Sequence, residues 1–277
     1  MRVVVITGQP LDAQARLFIG AIRRAAELVG IVRVRARPRK TGRLGRYARM
    51  ARQRGIGATA NFLAGLPISA IVRPSIHRRV EAILRQHVHG DPTEGITVAD
   101  GGLVNSSEEL DALRRFAPEL LYQAGPGIAR PAVFRAAPLG MLHVHHGILP
   151  AIRGIASPEW AVREARPLWL GVTLHLIDAG LDTGPLVAQG RPRVEAGDSW
   201  ARVRAKLSLL GARLIAEGLR ALQAGLRPVP QPQGLPSSYR SNLGLTDWAL
   251  FAARLRPFLR SCYGREEQTS IGEFLPQ

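Results

Sequence analysis

The segment Arg2-Val-Val-Val-Ile-Thr7 is a short β-branched run that stops at Gly8, and Leu11, Ala15, Phe18, Ile19 and Ile22 follow at helical spacing. A second β-branched run, Gly30-Ile-Val-Arg-Val-Arg35, comes directly after that helix. A strand, a helix and another strand within 35 residues can bury their apolar surface only as a parallel βαβ unit, which makes the fold class α/β.

The pattern continues with interruptions. From Arg37 to Arg85 the chain reads as arginine-dense helical segments broken at Gly55, Gly57, Gly65, Pro67 and Pro74, an insertion over the sheet spanning 37–85. Ile96–Ala99 is a weak strand. Ser106 or Ser107 caps the next helix, and Leu120–Ala124 reads as a buried strand ended by Gly125-Pro126-Gly127. A short helix over Pro131–Ala137 precedes a strand ending near His145 or His146, and Leu170–Ile177 is again rich in strand formers. Pro185–Val194 is less regular, whereas Ser199–Leu222 is a long amphipathic helix capped by Asp198 or Ser199. After Gly225 the prolines at 228, 230, 232 and 236 mark an irregular connection to a short segment around Asp247–Phe258, and 265–277 reads as a loose tail. The expected organisation is a domain over 1–225 and a short C-terminal appendage over 226–277.

Composition narrows the class. Apolar residues make up 46% and charged residues 21% of 277, enough for a packed core and unlike a disordered chain. The net charge is +17, and every basic residue except Lys40 and Lys206 is arginine. Such an excess suits phosphate-bearing partners or an anionic membrane surface, and arginine-rich coding bias accounts for it equally well. In the 37–85 insertion a basic amphipathic helix suits a membrane surface or phosphates, or an arginine-coated lid. The single Cys262 excludes a disulfide framework within the chain and a cysteine-based zinc cluster. The longest apolar stretch, Phe62–Val72, contains Gly65 and Pro67 and is too short to span a bilayer. With no leader pattern at the start, the expected location is cytoplasmic.

Three of the seven histidines, His143, His145 and His146, fall within four positions at the end of an expected parallel strand, where open α/β sheets bind ligands. His143 and His145 share one face of such a strand. Acid–base work near neutral pH fits the cluster better than a metal site, because only His175 and Asp182 stand ready as further ligands and their spacing matches no metal motif. No metal is expected.

The run Leu142-His-Val-His-His-Gly-Ile-Leu-Pro-Ala-Ile-Arg-Gly154, followed by Gly171-Val-Thr-Leu-His-Leu-Ile-Asp-Ala-Gly-Leu-Asp-Thr-Gly184, resembles the folate-dependent formyltransferases that act on methionyl-tRNA, glycinamide ribonucleotide and sugar amines. A weaker likeness extends upstream to 118–134, and in all to roughly residues 1–225. The resemblance implies a Rossmann-like formyltransferase fold, with a mostly parallel twisted sheet flanked by helices. It also implies 10-formyltetrahydrofolate as co-substrate. His145 matches the family histidine, Asp182 its aspartate, and His143 stands where the family has asparagine, the main departure. By the same resemblance the folate lies beside Gly125, Gly127, Ile128, Asp178 and Gly180.

The implied activity is transfer of a formyl group to a primary amine of a small or lipid-linked acceptor, such as an amino sugar or biosynthetic intermediate. Residues 226–277 lack the run of strands for the β-barrel of the tRNA-acting members, which argues against tRNA as the acceptor. Two other readings remain open: a hydrolase that passes the formyl group to water, as the His145-His146 doublet allows, and a binding module without turnover.

Overall fold

The computed structural model describes residues 1–8, 10–38, 43–232 and 238–276, less the side chains of Arg43, Leu44, Arg46 and Arg54. Parts of the arginine-rich insertion, the proline-rich connection and the Gly8–Asp12 turn therefore lie outside the described residues.

Strand β1 (Arg2–Thr7) alternates its side chains between two apolar layers. Val3 and Val5 enter one core cluster, and Val4 and Ile6 enter the other. A strand buried on both faces needs a continuous apolar run, which is what residues 3–6 supply. Helix α1 (Ala13–Ala25) follows, with Asp12 as N-cap accepting from the Ala15 N–H at 2.8 Å, and returns the chain to β2 (Glu27–Arg35). The crossover from β2 to β3 (Val98–Leu103) carries helices α2 (Arg43–Arg54) and α3 (Ile56–Arg85). Then come α4 (Ser107–Phe116, N-cap Ser106), β4 (Leu120–Ala124), α5 (Pro131–Phe134) and β5 (Met141–His145).

The sheet continues through β7 (Val172–Leu176) and β8 (Leu186–Arg191) and closes with β10 (Gln268–Ile271), in the order β10-β8-β7-β5-β4-β1-β2-β3. Pairings from β3 through β1 to β5 are parallel, and those from β5 to β10 are antiparallel. A separate parallel pair joins β6 (Ile152–Gly154) to β9 (Ser238–Arg240). Helix α6 (Ser157–Arg163) follows β6, and α7 (Trp200–Gln223), capped by Ser199, packs along α1. The last helix, α8 (Leu245–Cys262), packs on α6 and α3.

Four expectations are corrected. The irregular stretch at 185–194 contains β8, whose six residues are all buried. The loose tail contains β10, paired with β8, and it is fastened further by the Leu275 N–H donating to Gln189 and the Arg191 guanidinium donating to the Pro276 carbonyl. Gly65, Pro67 and Pro74 do not break α3, which is continuous over 30 residues. Each proline deletes one helical hydrogen bond, yet Ile68, Val72, Ile76, Val80 and Ile83 of α3 pack against the core. Finally, α3 is long and apolar enough to cross a membrane by length and composition, contrary to the expectation that no stretch qualifies. The insertion lies on the helical layer, against α7, α8 and α1.

Candidate active site

The antiparallel register of β5 and β7 sets His143 directly opposite His175 and His145 opposite Thr173. Cross-strand neighbours in such a pair lie side by side, so the His143 and His175 rings meet edge to face at 5.8 Å. Asp182 comes from the loop after β7. Its Oδ2 lies 3.5 Å from His145 Nδ1, and its Oδ1 lies 3.8 Å from His175 Nε2.

Backbone geometry puts the carboxylate there. Asp182 is left-handed, at φ 53°, a conformation that short polar side chains tolerate better than most. The loop leading to it is shaped by Asp178, whose Oδ1 accepts from the Gly180 N–H at 3.0 Å and the Thr183 hydroxyl at 2.6 Å. The Asp182 carboxylate accepts from the Gly154 N–H at 2.8 Å. Gly154 has φ 95°, and a Cβ there would run into the Arg240 carbonyl, so only glycine suits this position.

Hydrogen bonds fix the tautomers. His143 Nδ1 donates to the Gln123 carbonyl at 3.0 Å, since a carbonyl can only accept, which leaves the neutral ring with a lone pair on Nε2. By the same rule His145 Nε2 donates to the Ile152 carbonyl at 3.0 Å, and His175 Nδ1 donates to the Leu176 carbonyl at 2.7 Å. His145 is buried, with both nitrogens turned to protein groups, and His175 Nε2 has no hydrogen-bond partner among the described residues. Half-buried His143 is left to face the cleft with an open nitrogen.

Burial dominates the electrostatics. It pushes His145 below the usual histidine range against the pull of Asp182, and it pushes His146 well below, helped by the Arg204 charge. His175 is lowered to about 3, by burial first and then by His143, with Asp182 opposing. Burial would raise Asp182, but the facing imidazoles and the Gly154 N–H outweigh it and hold the carboxylate below its ordinary value. The centre at neutral pH is therefore one carboxylate among buried neutral imidazoles.

The cleft over this centre has a volume of about 110 Å³. Gly125, Gly127, Ile128 and Gly180 line it with His143, His175 and Asp182, so the structure brings together the residues singled out in the sequence except Asp178, His145 and His146. Asp178 shapes the loop without lining the cleft, and His145 lies behind Asp182. Sequence reasoning missed Gln123 and Asn105. The Gln123 side chain donates to the Gly125 carbonyl, and Asn105 clasps the loop by donating to the Ile128 carbonyl and accepting from the Arg130 N–H. Exposed Ile128 and Leu181 form apolar lips on opposite loops, suited to the faces of a flat ring.

The turn after β1 does something else. Both Glu81 oxygens accept from the Ala13 N–H, so the first turn of α1 is closed by the chain's own carboxylates, Asp12 and Glu81. With His77 they form a group of three ligand atoms within 4.8 Å of one another.

Comparison with known proteins agrees with this geometry. Residues 103–219, which carry every residue of the cleft, match the family model described as Formyl transferase. That stretch of the chain is similar to the formyl transferases. Methionyl-tRNA formyltransferase of Xylella fastidiosa (strain M23) is 36% identical over 167 residues, which are 58% of this chain and 54% of that protein. The enzyme of the same name from Xanthomonas campestris pv. campestris (strain 8004) is 37% identical over 140 residues, 50% of this chain and 45% of that one. The chain thus spans about half the length of the curated relatives it matches.

Among solved structures, glycinamide ribonucleotide transformylase 1 from Symbiobacterium toebii superposes with a TM-score of 0.52 at 16% identity, covering 82% of this chain and 89% of that one. Phosphoribosylglycinamide formyltransferase from Bacillus halodurans gives 0.50 at 18%, covering 82% and 97%. These likenesses bear out the Rossmann-like formyltransferase fold. The argument against tRNA is corrected: the curated relatives are named for methionyl-tRNA, so a short C-terminal appendage does not set that acceptor aside.

Proposed function

We propose that the chain transfers the formyl group of 10-formyltetrahydrofolate to a primary amine. The observation that carries this reading is His143, held through Nδ1 by the Gln123 carbonyl with its Nε2 open among the described residues, in a loop-lined cleft that it shares with the Asp182 carboxylate.

The balance of the reaction assigns the roles. The amine nitrogen attacks the formyl carbon, an oxyanion forms on the formyl oxygen, and the bond from carbon to folate N10 breaks. One proton must travel from the attacking amine to N10. Neutral His143 accepts that proton at Nε2, and the imidazolium so formed donates to the oxyanion and then to N10. Asp182 stabilises this transient charge through the field it already exerts on the surrounding imidazoles. Asp182 is held in place by the Gly154 N–H, and His145, its Nε2 engaged by the Ile152 carbonyl, packs behind it. The folate ring system fits between the Gly125–Ile128 loop and the Asp178–Asp182 loop, whose glycines leave backbone groups open to the pterin edge.

The acceptor amine in this reading belongs to a small molecule such as an amino sugar. The deciding experiment follows tetrahydrofolate and formate from 10-formyltetrahydrofolate, with and without a panel of amino sugars and with methionyl-tRNA as a separate arm. Amine-dependent release of tetrahydrofolate with a formylated product is the expected result. Formate release without any amine would replace transfer by hydrolysis, and folate binding without release would identify a binding module.

A further inference from the structure

The 37–85 insertion and the C-terminal appendage are far apart in sequence, yet they lock together. Gly65 of α3 lies against the Gly244 backbone, Asn61 accepts from the Thr246 N–H and hydroxyl at 2.9 and 3.0 Å, and Arg73 donates to Asn242 at 2.6 Å. Trp248 of α8 donates to Ser69 of α3 at 2.8 Å. Between the two segments, over α6, is a chamber of about 320 Å³, within the range of roughly 300 to 1,000 Å³ for small-ligand pockets. The insertion supplies Asn61 and Phe62, the appendage Tyr239, Arg240 and Asn242, and α6 the floor, Trp160.

The chamber adjoins the catalytic loop. Its Tyr239 and Arg240 pack directly on Gly154, the residue whose N–H holds Asp182. We propose that this chamber receives the body of the acceptor, and that the body is a neutral, hydroxyl-rich ring, a sugar, whose amine reaches past Gly154 to the cleft.

Charge and hydrogen-bond inventory select that chemistry. Arg240 is already paired with Glu164 at 3.0 Å, and Asp247 with Arg163 at 3.0 Å, so among the described residues the chamber presents no unpaired cation to a phosphate. It does present donors: the Asn61 and Asn242 amide N–H groups have no hydrogen-bond partner among the described residues, and neither has the buried Arg240 Nε. Sugar hydroxyls answer such donors without bringing charge. The Trp160 ring is covered by the Arg240 and Arg163 guanidiniums at 5.1 and 5.4 Å, and its N–H goes to the Ser241 carbonyl, which makes it scaffold. Half-exposed Tyr239 remains as the aromatic edge for a ring to lie against.

This inference rests on the proposed formyl transfer for its use, and its test is separable from it. The full chain and the variants Asn242→Leu and Phe62→Trp, the second chosen to fill the chamber without removing a polar group, are titrated by saturation-transfer NMR with a free amino sugar that carries no phosphate. Tetrahydrofolate affinity is measured in parallel as a check on the fold. Expected is binding to wild type, with affinity and KM worsened roughly tenfold in each variant, the loss of about one hydrogen bond or ring contact, and tetrahydrofolate affinity unchanged. Unaltered sugar binding in both variants, no sugar binding to wild type, or formylation of methionyl-tRNA alone overturns the assignment. Sugar binding that responds to the variants in a protein without turnover leaves the chamber standing and removes the transferase reading.

Discussion

The Asp182 carboxylate accepts a hydrogen bond from the Gly154 backbone N–H at 2.8 Å, tying the loop after β7 to the end of β6. One group thus does two jobs, closing the cleft and supplying its negative charge, and they can be separated. Asp182→Asn keeps an oxygen for Gly154 and tolerates the left-handed backbone, but carries no charge. Its melting temperature should stay within a few degrees of wild type while kcat falls by about 10²-fold or more. A fall in stability with kcat unaffected would show the carboxylate to be structural only.

Two imidazoles line the cleft with a nitrogen unpartnered among the described residues, and of these His175 is buried while half-buried His143 is the accessible one, its other nitrogen engaged by Gln123. His143→Phe removes the proton carrier and keeps the bulk. We expect kcat to drop by about 10²- to 10⁴-fold with tetrahydrofolate affinity changed by no more than a few-fold. His143→Asn, which installs a donor but no base, should fall between the two proteins if oxyanion stabilisation matters as well. Wild-type turnover in His143→Phe would remove this residue from the chemistry.

How far the sequence could be read follows from where each signal resides. Strand β1, α1 and the Ser199-capped α7 carry their periodicity and caps locally, so they were legible. Strand β8 was not, because burial on both faces leaves no alternation, and Gln189 and Gly190 interrupt its apolar run. Strand β10 has only four residues, none fully buried, and exists by pairing with β8, so nothing in Gln268–Ile271 announces it. The motif residues His143, His145 and Asp182 were legible, while the contact of His143 with His175 depends on the register of β5 and β7. The tautomers depend on the Gln123, Ile152 and Leu176 carbonyls, which have no side-chain signature.

His175 makes stability depend on pH. Its folded pKa is about 3, below the ordinary value of 6.5, so between these pH values the unfolded chain binds a proton that the folded chain refuses. Folding is therefore penalised as pH falls from 6.5 towards 3, and the contribution is fully present above 6.5. Melting temperature should decline as pH is lowered from 7 to 4, and His175→Gln, which does not titrate, should flatten part of that slope. An equal slope in the variant would assign the acid sensitivity to other groups, His145 and His146 first, since burial depresses both.

Gly65 tests whether the insertion and appendage are locked as described. A Cβ at this position would lie 2.6 Å from the Gly244 carbonyl carbon and 2.7 Å from the Leu245 nitrogen, both backbone atoms. In an exposed helix, glycine to alanine is worth about 1 kcal/mol in favour of alanine. Here the neighbouring backbone cannot rotate aside, and forcing α3 from α8 costs about 1 to 3 kcal/mol. The second effect should win, so Gly65→Ala should lower the urea midpoint, and Gly65→Val, bulkier and a poorer helix former, should lower it further. A raised midpoint in Gly65→Ala would mean that α3 and α8 are not held at this separation. The chamber between them would then lack a fixed wall.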